Sequence, residues 1–409
     1  MLSYAMKKNL LLAISIAFLS CNKNAPESLS IGVWRAELQL NDANVLPFNF
    51  EVTSNQSLKI FNAEEIILVD EIIYKNDSIY IQMPVFEGYI AGKLSPNKIE
   101  GSFIKESLDR VVPFEAKLSK EPRFKIKKVE SNHEITGNWE AIFSEGVEED
   151  EYVAKGIFNQ KGQNVTGTFR TTTGDYRYLE GVIDGDQLML STFDGSHAFL
   201  FKATLKDNTM HGQFYSGSHW EEPFVAKRNE AYELPNENEL TFLKAGYDAL
   251  EFTFPNASGE MISLSDAQFK NKVVVVQIMG TWCPNCLDES KFYSEYYNEN
   301  KNKNLAFVAL AFEYAKSEAL AFKSIKRLKE RIGIDYPILL AQFGTSNKLK
   351  AQEKLPMLNQ VLSYPTSVFI DKTGKVRKIH TGFNGPATGE KYTAFKKEFK
   401  SFISALQSE

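Results

Sequence analysis

Cysteine is scarce in this sequence. Its 409 residues include three, Cys21, Cys283 and Cys286. So few exclude a fold stapled by a disulfide framework. Excess positive charge is also missing: 47 Lys and Arg stand against 52 Asp and Glu, a net charge of −5. Electrostatics therefore gives no reason to expect nucleic-acid binding. Histidine is rare, and His133, His197, His211 and His219 lack the close spacing of a metal site. What remains is ordinary globular material, 43% hydrophobic and 24% charged. That composition excludes both a disordered chain and a polytopic membrane protein, and the length suits about two to three domains.

The first residues read as an address. Lys7 and Lys8 precede an apolar stretch from Leu10 to Leu19, then Ser20 and Cys21. A basic start, a short apolar core and a small residue at the cut site form a secretory signal, and the apolar core is short for a bilayer span. Residues 1–20 are expected to be the signal peptide and 21–30 a polar tether. Phe18-Leu19-Ser20-Cys21 resembles a bacterial lipobox, although Phe18 stands where Leu is usual. The resemblance implies cleavage before Cys21, lipidation of that cysteine and anchoring to a membrane of the cell envelope, with the mature protein facing the periplasm or exterior.

From Ile31 to Lys227 short alternating segments are separated by Gly, Asn and Asp turns, as in Ile79-Tyr80-Ile81-Gln82-Met83. Strands without long helical patterns indicate an all-β architecture. Three pairs of segments recur in order: Gly32-Val33-Trp34-Arg35-Ala36 with Gly137-Asn138-Trp139-Glu140-Ala141, Gly101-Ser102-Phe103 with Gly212-Gln213-Phe214, and Pro113-Phe114-Glu115-Ala116-Lys117 with Pro223-Phe224-Val225-Ala226-Lys227. The pattern predicts two small antiparallel domains, barrel- or sandwich-like and related by duplication, over residues 31–120 and 135–228. Two clusters, residues 174–181 and 193–197, concentrate charged and aromatic side chains. They fit a ligand-lining surface, but hairpin turns with tyrosines covering a sheet face explain them as well, and that is the reading favoured here.

After a linker over 229–244 the pattern changes. Val273-Val274-Val275-Val276-Gln277-Ile278-Met279 suits a strand buried on both faces. Trp282-Cys283-Pro284-Asn285-Cys286 and a helical stretch follow, then alternating strands and helices to the C-terminus, which places residues 245–409 in the α/β class. Cys283 falls at a helix start, where free N–H groups and the helix dipole favour a thiolate. A thiolate attacks a disulfide, and Cys286, one turn on, can resolve the mixed disulfide. Pro284 suits the first helical turn. Zinc would need two more ligands, and the region offers no further cysteine and only His380.

This region resembles the thioredoxin-like thiol–disulfide oxidoreductases of the TlpA/ResA type. The resemblance rests on Trp-Cys-x-x-Cys after a buried strand, the lead-in Phe254-Pro255-Asn256, and Tyr364-Pro365-Thr366 before a late strand. It implies a cis-proline at Pro365, a docking edge at Tyr364 with Trp282 and Pro284 beside it, and a proton relay at Glu289. It also implies a reductase of exported proteins with cysteine pairs, supplied by a membrane donor, with no cofactor beyond the Cys283–Cys286 pair. Two rivals remain open. One is a peroxiredoxin-like peroxide reductase, against which Trp282 stands where a Pro and Thr pattern is expected. The other is a scaffold lipoprotein whose β-domains capture a partner.

Overall fold

The computed structural model describes residues 28–127, 131, 133–301 and 304–409. The signal peptide and Cys21 lie outside the described residues. Among the described residues no helix is long and apolar enough to cross a membrane.

Nine strands between Gly32 and Leu118 form the first sheet, and each pairs antiparallel with its neighbours. The first strand, Gly32–Asn41, pairs with both the second and the ninth, so the sheet curls into a ring. The ring is open at one seam, between Glu65–Val69 and Glu71–Lys75, which follow each other in sequence without pairing. The second sheet runs from Gly137 to Arg228. It closes fully, because Tyr152–Lys161 pairs with both Gly137–Phe143 and Asn164–Thr171. Closure removes the free edges that invite unwanted pairing.

The repeated segments take the same place in both rings. Ala36 faces Ala116 across the closing pair, and Ala141 faces Ala226. Trp34 and Trp139 each donate their indole N–H to the carbonyl four residues upstream, both at 2.9 Å. Gly101 and Gly212 lie opposite Phe114 and Phe224. A Cβ on Gly101 would come within 2.0 Å of the Ala91 carbonyl oxygen, and one on Gly212 within 2.4 Å of the Phe224 ring. No larger residue fits either position.

The C-terminal part has a five-stranded sheet. We label its strands β1 (Val273–Met279), β2 (Leu305–Phe312), β3 (Ile338–Gln342), β4 (Thr366–Ile370) and β5 (Val376–Thr381), and its helices α1 (Pro284–Asn300), α2 (Glu318–Ile332), α3 (Lys348–Lys354) and α4 (Glu390–Ser408). The order is β3-β2-β1-β4-β5, with β1, β2 and β3 parallel and β4 and β5 antiparallel. All seven residues of β1 are buried, as its β-branched run requires in a sheet covered on both faces. This is a thioredoxin-like layer arrangement behind two all-β rings.

The three parts pack tightly. Helix α2 faces the open seam of the first ring. Arg327 donates to Glu71 at 2.8 Å and to the Met83 carbonyl at 2.7 Å, and Arg331 pairs with Asp70 at 2.9 Å. The second ring meets the C-terminal part around the cysteines.

Candidate active site

The strand-to-helix turn after β1 presents Cys283 as the N-cap of α1, with extended backbone at φ −96° and ψ 116°. Its Sγ accepts the Cys286 N–H at 3.1 Å and, as a thiol, donates to the Tyr364 carbonyl at 3.3 Å. Pro284 occupies the first helical turn, where no N–H is needed. Cys283 is 6% exposed and Cys286 is 0% exposed, so the first sulfur meets a substrate and the second waits beneath it. Burial, and then the adjacent Cys283 sulfur, hold the Cys286 thiol well above its ordinary range.

Glu289 lies one turn below Cys286 and is fully buried. Burial pushes its carboxyl up to about 7, against hydrogen bonds from Gln277, Ser367 and Tyr293. Gln277 Nε2 donates to Glu289 Oε2 at 2.8 Å, and Ser367 Oγ to Oε1 at 3.0 Å. Sequence reading passed over Gln277, although a single polar residue inside an apolar run was the signal. It also passed over Glu313, just beyond β2, which accepts the Thr281 N–H at 2.8 Å and hydroxyl at 2.7 Å. Burial raises Glu313 to about 7 as well.

The Tyr364–Pro365 bond is cis. This loop sits against the cysteines, and Tyr364 packs edge-on to Trp282 with ring centroids 5.6 Å apart. The Trp282 indole is pinned by the Phe312 carbonyl at 3.0 Å.

The far wall of the site comes from the second ring. The segment 171–177 hydrogen-bonds the first turn of α1 and two loops of the C-terminal part. Asn285 Nδ2 donates to the Asp175 carbonyl at 3.1 Å, Ser363 Oγ to the Thr173 carbonyl at 2.8 Å, and the Gly385 N–H to Asp175 Oδ2 at 2.5 Å. From the second cluster, Ser196 Oγ donates to the Trp282 carbonyl at 2.8 Å. Both clusters assigned above to hairpin turns therefore sit at the cysteines. They combine strand ends with short irregular links, and their side chains brace the active-site loops. Before α4, Asn384 accepts from Arg170 at 2.9 Å. Gly174 approaches Asn285 so closely that a Cβ would lie 2.1 Å from its amide. Between the walls is a cleft of about 820 Å³, lined by Trp282, Cys283, Pro284 and Tyr364 on one side and by Tyr152 and Tyr176 on the other.

Residues 245–379 match the AhpC/TSA family model. The thioredoxin-like protein YneN of Bacillus subtilis is 31% identical over 141 residues, which cover 34% of this chain and 73% of YneN. The chain belongs to the thioredoxin-like family. The thiol–disulfide oxidoreductase ResA of Geobacillus kaustophilus is 28% identical over 35% of this chain and 73% of its own length. Among solved structures, a putative thiol:disulfide interchange protein DsbE from Chlorobium tepidum aligns with 41% of this chain and 99% of its own, at 20% identity and a TM-score of 0.31. This thioredoxin-like protein is a thiol–disulfide oxidoreductase, and both rings precede the stretch matched by the family model.

Proposed function

We propose that the protein reduces disulfides of exported proteins from the cell envelope, held there by lipid on Cys21. The observation that carries the reaction is the pairing of a slightly exposed Cys283 at the head of α1 with a fully buried Cys286 hydrogen-bonded to it. Cys283 thiolate attacks one sulfur of the substrate disulfide, which breaks as the mixed disulfide forms and the departing sulfur takes a proton. Cys286, losing its proton to Glu289, then attacks Cys283. A Cys283–Cys286 disulfide forms, the second substrate thiol leaves, and two electrons have passed to the substrate. A membrane donor restores the dithiol. Tyr364 and Pro365 offer the backbone edge on which an extended substrate docks, with Trp282 and Pro284 beside it.

The test is trapping. Cys286→Ser lacks the resolving sulfur, so it should accumulate envelope proteins linked through Cys283 and released by dithiothreitol. Recovery of no disulfide-linked protein would defeat the reading.

Glu289 gives a second expectation. A relay works as base only when ionised, so turnover should rise with pH through about 7, where burial places this carboxyl. Glu289→Gln should lower turnover about 100-fold and erase that inflection. Glu313 titrates over the same range, so Glu313→Gln is the control and should keep it. An inflection that survives Glu289→Gln but disappears in Glu313→Gln would move the relay to Glu313.

A further inference from the structure

Beside the main cleft is a second chamber of about 280 Å³, at the junction of all three parts. The two share Trp282, His197 and His219 in their walls, so the chamber is a side room of the cleft that holds Cys283. The first ring contributes Lys105 and Arg110, the second His219, and the C-terminal part Trp282 and Tyr314.

Its charge is one-sided. Lys105 is 8% exposed, and its Nζ reaches the Ser196 carbonyl at 3.3 Å and lies 6.0 Å from the centre of the Tyr314 ring. Among the described residues no carboxylate forms an ion pair with Lys105, Arg110 or His219. Two acids act on Lys105 from further off. Asp194 is already engaged by Arg177 and His197, and Glu87 sits beside Tyr314. The basic groups disturb one another. Burial and then Arg110 bring Lys105 down to about 8, and burial, Arg110 and Lys105 bring His219 down to about 4. Buried charge is ordinarily paired. A buried ammonium next to a guanidinium, both lining one chamber, is the complement of an anion.

We propose that this chamber is an anion subsite that receives a carboxylate carried by the disulfide substrate, supplied by an acidic side chain close in sequence to the reactive cysteine. The proposal rests on the reading of Cys283 as the attacking sulfur. The chamber adjoins that sulfur through Trp282, so a polypeptide laid along the Tyr364 edge can reach both. Specificity then comes from the rings: the first supplies the two cationic groups, Lys105 and Arg110, and the second supplies the neutral imidazole of His219. Tyr314 also lines the chamber, but its hydroxyl, held neutral by burial, is hydrogen-bonded to Glu87, so the carboxylate depends on Lys105 and Arg110.

The experiment uses the full chain and peptide disulfides that differ at one residue beside the cysteine, carrying Glu, Gln or Lys. The Glu peptide should be reduced with a kcat/KM about tenfold above the Gln peptide, with the Lys peptide slowest. In Lys105→Gln and Arg110→Gln the Glu-to-Gln ratio should fall below about threefold, and Arg110→Lys should restore it. Equal rates for Glu and Gln peptides with the unaltered protein would overturn the proposal, as would a ratio that survives both substitutions. Calorimetric titration with unreactive analogues, serine replacing cysteine, separates the two layers of the argument. If the Glu analogue binds more tightly than the Gln analogue but no disulfide is reduced, the subsite stands and the reductase reading falls. If all the disulfides are reduced without regard to charge, the reductase reading stands and the subsite falls.

Discussion

Cys283→Ser should abolish disulfide turnover while leaving the fold as stable as before. The residue has two separable jobs. As N-cap of α1, its Sγ accepts the Cys286 N–H. A serine hydroxyl accepts the same bond, and serine is among the preferred N-cap residues, so stability should stay within about 0.5 kcal/mol. As nucleophile it must ionise and attack sulfur, which a hydroxyl does not do near neutral pH. The rate should drop by on the order of 10³-fold or more. Cys283→Ala loses both jobs and should cost about 1 kcal/mol in addition. Urea denaturation and reduction of a dithiol-sensitive substrate give the two numbers. A serine variant that retains a tenth of the turnover would place the attacking sulfur elsewhere, and Cys286 is the only other one among the described residues.

That prediction was legible in the sequence because its chemistry is local. Trp-Cys-Pro-Asn-Cys after an apolar run fixes strand, cap and first turn within a dozen residues, whereas the cis-proline at Pro365 was expected only from the family resemblance. The two rings were legible for a related reason, since alternation and turn residues are properties of neighbouring positions. Helix α3 escaped because it is seven residues long and solvent-facing, with only Ala351 buried. Its cap is ordinary: Asn347 accepts from Leu349 and Lys350 at 2.9 and 3.1 Å. Gln277 and Glu313 left traces, a polar residue in a buried strand and an acid at the C-terminal end of a parallel strand, where sites in such sheets gather.

The wall of the cleft left no such trace. Asp175 and its neighbours read in the sequence as hairpin residues. What gives them a role is the docking of the second ring onto α1, and that depends on contacts more than a hundred residues apart. The same is true of the basic groups around the side chamber. Lys105 lies at the end of one strand and His219 in the turn before another, and nothing in either segment shows that they meet. The resemblance that identifies the chemistry covers only the part of the chain that performs it, so the parts that select the substrate had to come from the packing.

One residue holds that packing together. Arg177, 3% exposed, belongs to the second ring and carries a positive φ of 61°. It pairs with Glu65 of the first ring and with Asp288 of α1, lies 3.5 Å from Asp194, and donates to the Pro284 carbonyl at 3.3 Å. Burial opposes its charge, but the carboxylates of Asp288, Glu65 and Asp194 outweigh burial and keep it protonated. Arg177→Leu removes the guanidinium that these buried acids share, leaving, among the described residues, Asp288 with Lys291 at 3.6 Å, Asp194 with His197 at 3.4 Å, and Glu65 with no cation. Deleting one partner of a buried ionic group costs about 3–5 kcal/mol, because the remaining charge keeps its desolvation penalty. The loss should depend on pH. Burial already raises Glu65 despite the opposing pull of Arg177, so removing the guanidinium raises it further. A carboxyl held above its unfolded value binds its proton more tightly in the folded state. Stability is therefore lost as pH rises through the raised value and partly regained as pH falls. The variant should be least stable above neutrality and recover toward pH 5. Combining it with Asp288→Leu should cost less than the sum of the two single changes by about 0.5–3 kcal/mol, since the second substitution removes one of the stranded charges. Urea denaturation of the four proteins at pH 5 and pH 8 checks both expectations. An Arg177→Leu protein within about 0.5 kcal/mol of the parent at pH 8 would mean that the ion pairs of Arg177 contribute nothing net to holding the rings on α1.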